Sequence, residues 1–192
     1  AYLFYGQESV GKKQLAVVMA KALNCKGADP VEACDKCESC LKIERGTHPD
    51  FFFIEPVRAT PAAREAAIKI EIIRELQKKL GYLPYEGKTK VVVIDSAELM
   101  NTQAANSFLK TLEEPPSSTV IIMVSSNPHR LLPTLVSRCQ GIQFHRLSAS
   151  EIREIIQSRL QVSEESLTEE EINFHIHRSR GSVNRAITID FA

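Results

Sequence analysis

A chain of 192 residues, 43% apolar and 25% charged, has material for a hydrophobic core in one ordinary domain or a domain with a small companion. Its 24 basic and 24 acidic residues cancel, so no general attraction to nucleic acid or anionic lipid is available and any such contact has to be local. No apolar run approaches the roughly 18 residues of a membrane span, no secretory signal is visible, and four of the five cysteines crowd into residues 25–40, a pattern of metal binding in a reducing cytoplasm rather than of disulfides.

The chain opens inside an apolar run, YLFY at residues 2–5, which reads as a buried strand. A start within a strand predicts a fragment without its natural N-terminus. Next comes GQESVGKKQL. The pattern G-x-x-x-x-G-K-[ST] is met by Gly6, Gly11 and Lys12, but Lys13 stands where Ser or Thr belongs. Such a loop turns backbone N–H groups toward phosphate oxygens, adds the positive end of a helix, and sends its Lys to the terminal phosphates. Lys13 cannot replace the hydroxyl that holds Mg2+, because it has no oxygen and its charge repels the ion. The competing reading is an ordinary glycine-bounded turn. Leu15, Val18, Met19 and Ala22 follow at helical spacing, and that strand–turn–helix context favours the phosphate loop.

Cys25, Cys34, Cys37 and Cys40 are spaced C-x8-C-x2-C-x2-C. Four thiolates complete a tetrahedral shell for Zn2+, a closed structural site, and the intervening KGADPVEACDK has little core of its own, so a metal would supply folding energy. An iron–sulfur cluster is the rival, but Glu44 stands where its fourth Cys is expected and no Pro follows. Free or disulfide-bonded thiols are the remaining alternative. Cys139 reads as a buried core thiol, and His48 as a surface residue, since four Cys already fill the shell.

A second strand is expected over residues 50–56 and a surface stretch over 59–69. Ile72, Ile73, Leu76 and Leu80 mark an amphipathic helix. KVVVID at 90–95 reads as a fully buried strand ending in Asp95. Motor ATPases of this class follow that Asp with a Glu that activates water. Here Ser96 follows, and Glu98 would have to reach back. A helix over 102–112, stopped by Pro115 and Pro116, a strand over 119–124, a short helix in LLPTLVS and a strand over 141–145 complete an α/β domain: a parallel sheet sandwiched by helices. Ligands bind such sheets beyond the strand C-termini, where the loop, Asp95 and residues 125–127 fall. The composition changes near Leu147, giving domains 1–147 and 148–192. The second opens with capping boxes, Ser148 with Glu151 and Thr168 with Glu171, and Ser182 is placed to cap a third helix.

AYLFYG…VGK, the Cys segment, HPDFFFIEP, the run from VVVIDSAELM through ANSFLKTLEEPP to LPTLVSRCQGIQF, and GSVNRAI together resemble a bacterial DNA polymerase III clamp-loader subunit across almost the whole chain. The resemblance implies an AAA+ P-loop domain and a helical lid of the delta-prime or gamma/tau kind, followed by a collar domain that lies outside this sequence. It also implies a hetero-pentamer with gamma/tau and delta subunits that places a ring-shaped sliding clamp on primer-template DNA, with ATP bound between neighbouring subunits. Arg138, in Ser137-Arg138-Cys139, would then be an arginine finger acting in trans. Lys13, Ser96 and Asn184 depart from the motor pattern, with Arg185 one residue beyond the lid's phosphate-sensing position. The departures are similar to the delta-prime type, whose own site (Gly6, Gly11, Lys12, Asp95) is vestigial. Two other readings are an ATP-hydrolysing gamma/tau motor and a zinc-dependent DNA-binding module, the latter opposed by the zero net charge. The isolated chain is expected to be a weakly associating monomer.

Overall fold

The computed structural model describes residues 1–27, 29, 31–58, 66–163 and 167–183, without the side chains of 159–163. Asn184, Arg185, the body of the third lid helix and residues 59–65 of the surface stretch lie outside the described residues.

Two compact units emerge, one of Ala1–Tyr5 with Lys13–Ile142, the other of Gly6–Lys12 with the chain from Gln143 onward. In the first, β1 (Tyr2–Gly6) leads to α1 (Lys12–Asn24) and α2 (Glu38–Glu44). Then come β2 (Phe51–Ile54), a two-stranded antiparallel pair β3 (Val57–Arg58) and β4 (Ala66–Ala67), and α3 (Ile70–Leu80). After these run β5 (Lys90–Ile94), α4 (Thr102–Glu113), β6 (Thr119–Ser125), α5 (Pro133–Val136) and β7 (Gln140–Phe144). The main sheet has the order β2-β5-β6-β1-β7. Its pairs β2·β5, β5·β6 and β6·β1 are parallel, with Val93 opposite Phe53 and Ile122, and Tyr5 opposite Ser125. Strand ends therefore share one edge, and Ile94 and Ser125 deliver Asp95 and residues 126–127 to it.

All five residues of β5 are buried, as expected for a central strand of a parallel sheet covered on both faces. The core runs from Leu3 and Val92 through Ile121 and Met123 to Ile73, Leu76 and Leu80 on α3 and Ala105, Phe108 and Leu112 on α4. Asn101 caps α4 by accepting from the Ala104 N–H at 2.7 Å, and Pro115 and Pro116 follow its end. Helix α1 differs from its sequence reading. Lys12, Ala16, Ala20 and Asn24, spaced by four, are buried together with Lys21, whereas Leu15 and Val18 are 40% and 45% exposed. The small Ala side chains let the helix lie close to its neighbours, so the larger Leu15 and Val18 face outward.

In the second unit, α6 (Ala149–Ser163) and α7 (Glu169–Ser179) pack through Ile152, Ile156 and Ile172. Both capping boxes form: Ser148 with Glu151, and Thr168 with Glu171. No strand follows β7 among the described residues.

Candidate functional site

The loop after β1 is built for backbone exposure. Gly11 has φ +91°, a left-handed conformation that only glycine takes without cost. Gly6 is fixed for a second reason: a Cβ there would lie 2.2 Å from the carbonyl oxygen of Phe144. Lys12 is buried, and its ammonium donates to the Gly6 carbonyl at 2.8 Å and to that of Gln7. The loop is tied down within its own unit by the Val183 N–H donating to the Ser9 carbonyl at 2.7 Å and by Arg146 donating to Gln7 Oε1. Gly6, Gly11 and Lys12 thus form one braced turn at the start of a 13-residue helix, the geometry that attracts anions.

Asp95 ends β5 at the carboxyl edge, and its carboxylate accepts from the Ser96 N–H at 2.9 Å. Lys13 faces it. The Lys13 ammonium donates to Glu55 Oε1 at 2.6 Å, lies 3.7 Å from Asp95 Oδ2, and sits 4.5 Å from the centre of the Phe53 ring. At the position where a phosphate-loop hydroxyl would hold a divalent ion, the chain has placed a cation of its own, shared by two carboxylates. Glu98 does not reach back toward Asp95. It accepts from the Ser126 N–H at 3.1 Å through Oε1, while Oε2 is buried without a partner. Asn127 donates its N–H to Ser125 Oγ at 3.1 Å, so residues 125–127 form a tight corner braced by Glu98.

Arg138 lies elsewhere on the first unit, just after α5. Its Nε donates to Glu113 Oε1 at 2.6 Å and Nη1 to the Thr134 carbonyl at 2.9 Å, with Nη2 also paired to Glu113. The side chain remains 33% exposed. The FLKTLEEPP segment, through Glu113 at the end of α4, therefore holds the guanidinium of SRC at the surface in a fixed orientation.

The four cysteines converge, all sulfurs within 4.8 Å of one another. Backbone amides point at them: the Gly27 N–H and the Cys34 N–H at Cys25 Sγ (3.2 and 3.4 Å), the Cys37 N–H at Cys34 Sγ (3.3 Å) and the Cys40 N–H at Cys37 Sγ (3.5 Å). Donors of this kind stabilise thiolates. The Lys26 N–H chiefly holds the Cys37 thiol down, to about 6, and the Cys34 and Gly27 amides draw Cys25 down, while burial pushes Cys40 up to about 12. Sulfurs that face each other and collect N–H donors fit a tetrahedral metal ion, and Cys25, Cys34, Cys37 and Cys40 could hold one. Cys139 stands apart, packed against the sheet core with its thiol pushed up by burial.

Sequence reasoning missed the support under this knuckle. His48 is not on the surface: it is 3% exposed, and its Nδ1 accepts the Asp50 N–H at 3.1 Å. Asp50, also buried, accepts from the N–H groups of Tyr85, Glu86 and Gly87, each at 2.7 Å. Burial opposes its charge, but these three donors outweigh that and hold its carboxyl below the usual range. Lys21, buried on α1, pairs with Asp35 at 2.8 Å and with Glu44, and Glu86 pairs with Lys42 at 2.9 Å and Lys26 at 3.5 Å. The only sequence signal for this hub was a polar trio, His48, Asp50 and Asn24, flanking apolar runs.

Comparisons with known proteins bear on the family and the fold. The family model for DNA polymerase III, delta subunit, matches residues 1–148. The DNA polymerase III subunit delta' of Pseudomonas aeruginosa is 42% identical over 139 residues, 72% of this chain and 41% of its own. The delta' subunit of Bacillus subtilis is 34% identical over 180 residues, 93% and 48%. The tau/gamma subunit of Haemophilus influenzae is 37% identical, over 91% of this chain and 23% of its own length. The chain spans less than half the length of these relatives. Among solved structures, a DNA polymerase III gamma subunit-related protein from Thermotoga maritima superposes with TM-score 0.58 at 21% identity, covering 96% of this chain and 51% of that one. The Thermotoga maritima RuvB Holliday junction branch migration motor superposes with TM-score 0.63 at 16% identity, covering 97% and 51%. These two likenesses show the AAA+ P-loop fold. Among the described residues no helix is long and apolar enough to cross a membrane. With the family model spanning residues 1–148, most of its length, the chain belongs to the DNA polymerase III delta subunit family.

Proposed function

We propose that this chain is a non-hydrolysing, delta-prime-type subunit of a cytoplasmic bacterial clamp loader, working with gamma/tau and delta subunits to place the sliding clamp on primer-template DNA. The carrying observation is Lys13. Its ammonium, 2.6 Å from Glu55 and 3.7 Å from Asp95, stands at the acid that would otherwise face a divalent ion, and Ser96 beside it cannot take a proton from water near neutral pH. The chain's own loop is then a braced structural turn, with residues 148 onward as its helical lid. Arg138, oriented by Glu113, serves ATP bound to a neighbouring subunit, where a fixed guanidinium offsets charge on the transferring phosphoryl group. A structural Zn2+ held by Cys25, Cys34, Cys37 and Cys40 fixes the turn-rich knuckle to α1.

The test is Arg138→Ala in the reconstituted assembly with clamp and primed DNA. Hydrolysis should fall by about 10³-fold or more at the site it faces, and the isolated parent chain should show no Mg2+-dependent turnover. Unchanged turnover in the assembly removes the finger, and turnover by the lone chain that Lys12→Ala abolishes points instead to a gamma/tau-type motor.

A further inference from the structure

The segment after α3, GYLPYEGK, carries the most exposed aromatic residues described in the first unit. Tyr82, Leu83 and Tyr85 are 78%, 77% and 87% exposed. Large apolar side chains are ordinarily left so open on mobile tips, yet this backbone is pinned on both sides. Ahead of it, the buried Lys90 ammonium donates to the Lys79 carbonyl at 2.6 Å and to the Tyr82 carbonyl. Behind it, the Asp50 carboxylate collects the N–H groups of Tyr85, Glu86 and Gly87. Gly87 packs so close to Asn24 and His48 that a Cβ there would meet Asn24 Oδ1 at 2.4 Å. The rings are therefore presented by a stiff mount, which lowers the ordering cost of any contact they make.

Charge decides what they contact. Residues 78–90 hold Lys78, Lys79, Lys88 and Lys90 against Glu86 in a chain of net charge zero, and Glu75, one turn back on α3, makes an exposed pair with Lys79 at 2.8 Å. The Glu86 carboxylate is already engaged by Lys42, which also pairs with Glu38 at 2.7 Å, and by Lys26. Lys78, Lys79 and Lys88 are exposed, and Lys90 covers the carbonyl at the negative end of α3. Two open phenol rings three residues apart, on a rigid strap ringed by lysines, match what stacks unpaired bases while holding their phosphates. An apolar protein cleft would use the rings and Leu83 but leave the cations without a role.

We infer that the Tyr82–Tyr85 strap is a docking surface for single-stranded nucleic acid, with Tyr82 and Tyr85 stacking on bases and Lys78, Lys79 and Lys88 meeting phosphates. This does not depend on Arg138 or on the state of the phosphate loop.

The test uses the full-length chain and a labelled oligothymidylate, followed by fluorescence anisotropy and by quenching of tyrosine emission across a salt series. Affinity should weaken as salt rises. Tyr82→Ala and Tyr85→Ala should each weaken binding at least about fivefold, the low end of one stacked base, while Tyr82→Phe with Tyr85→Phe keeps it. Lys78→Ala with Lys79→Ala should flatten the salt dependence, and circular dichroism controls for folding. Three outcomes overturn the inference: no salt-sensitive binding, binding indifferent to both Ala variants, or a single-strand affinity no greater than that for duplex of the same length. Protection of the two tyrosines from chemical iodination in the free full-length chain also overturns it, by showing that another part of the chain covers the strap.

Discussion

The two ends of α1 meet charge in opposite ways. At its start, Lys13 brings an ammonium to Glu55 and Asp95, so the acidic edge carries its own cation. At its end, Cys25 and its three partners bring together four sulfurs and several amide donors. A cluster answered from within is independent of the ions in solution. A cluster of mutually repelling donors makes its surroundings depend on an ion from outside. One helix thus joins a corner that carries its own cation to a corner whose four sulfurs could hold a metal ion.

That contrast can be broken or sharpened by experiment. The largest effect is expected at the knuckle. Chelation of Zn2+, or Cys40→Ser, should lower the Tm by on the order of 10 °C, since a structural zinc site contributes folding free energy directly. Scanning calorimetry with and without chelator reads this, and an unchanged Tm would erase the distinction between the two ends.

Asp50→Asn should cost about 2–4 kcal/mol, because it strips charge from an acceptor of three buried backbone donors. Its sign with pH follows from its depressed carboxyl. The folded state holds the proton less tightly than the unfolded chain, whose Asp titrates near about 3.9. The stabilisation is therefore complete above that value and disappears as pH falls through the folded one. Urea midpoints measured from neutral pH down into the acid range should show this limb in the parent and a reduced one in the variant.

Lys13→Ser should change stability by about 0.5 kcal/mol or less, since Lys13 and Glu55 are 51% and 55% exposed and surface pairs are weak. Its informative effect is on ion response. Millimolar Mg2+ should raise the Tm of the variant and leave the parent unmoved. Equal stabilisation of both would mean that Asp95 and Glu55 take up metal despite the lysine.

Much of this is legible in the sequence. The buried strand at 90–95, the amphipathic spacing of Ile73, Leu76 and Leu80, the Asn101-to-Pro115 limits of α4 and the cysteine spacing all express local rules, in which neighbours a few residues apart settle the outcome. The loss of the loop hydroxyl at Lys13 was equally plain. Its pairing with Glu55 was not, because 42 residues separate the two and nothing periodic links them. The same holds for Asp50, whose partners lie 35 to 37 residues away. Helix α1 misled for a different reason: Leu15 and Val18 satisfy helical spacing as well as Ala16 and Ala20 do, and periodicity alone does not tell which stripe turns inward. Glu98 is near Asp95 along the chain, but its neighbour in space is the Ser126 amide just past the end of β6, a contact that sequence distance does not reveal.

Ser96 carries a consequence for substitution at its position. It sits at φ 50°, ψ 48°, in the left-handed region that costs a residue with a side chain roughly 1 kcal/mol or more, and the neighbouring Asp95 holds its N–H in that pose. A glutamate placed at this position would inherit the left-handed backbone, and it would stand beside a carboxylate already paired with Lys13. Ser96→Glu alone would leave both the left-handed backbone and the Lys13–Asp95 pairing in place.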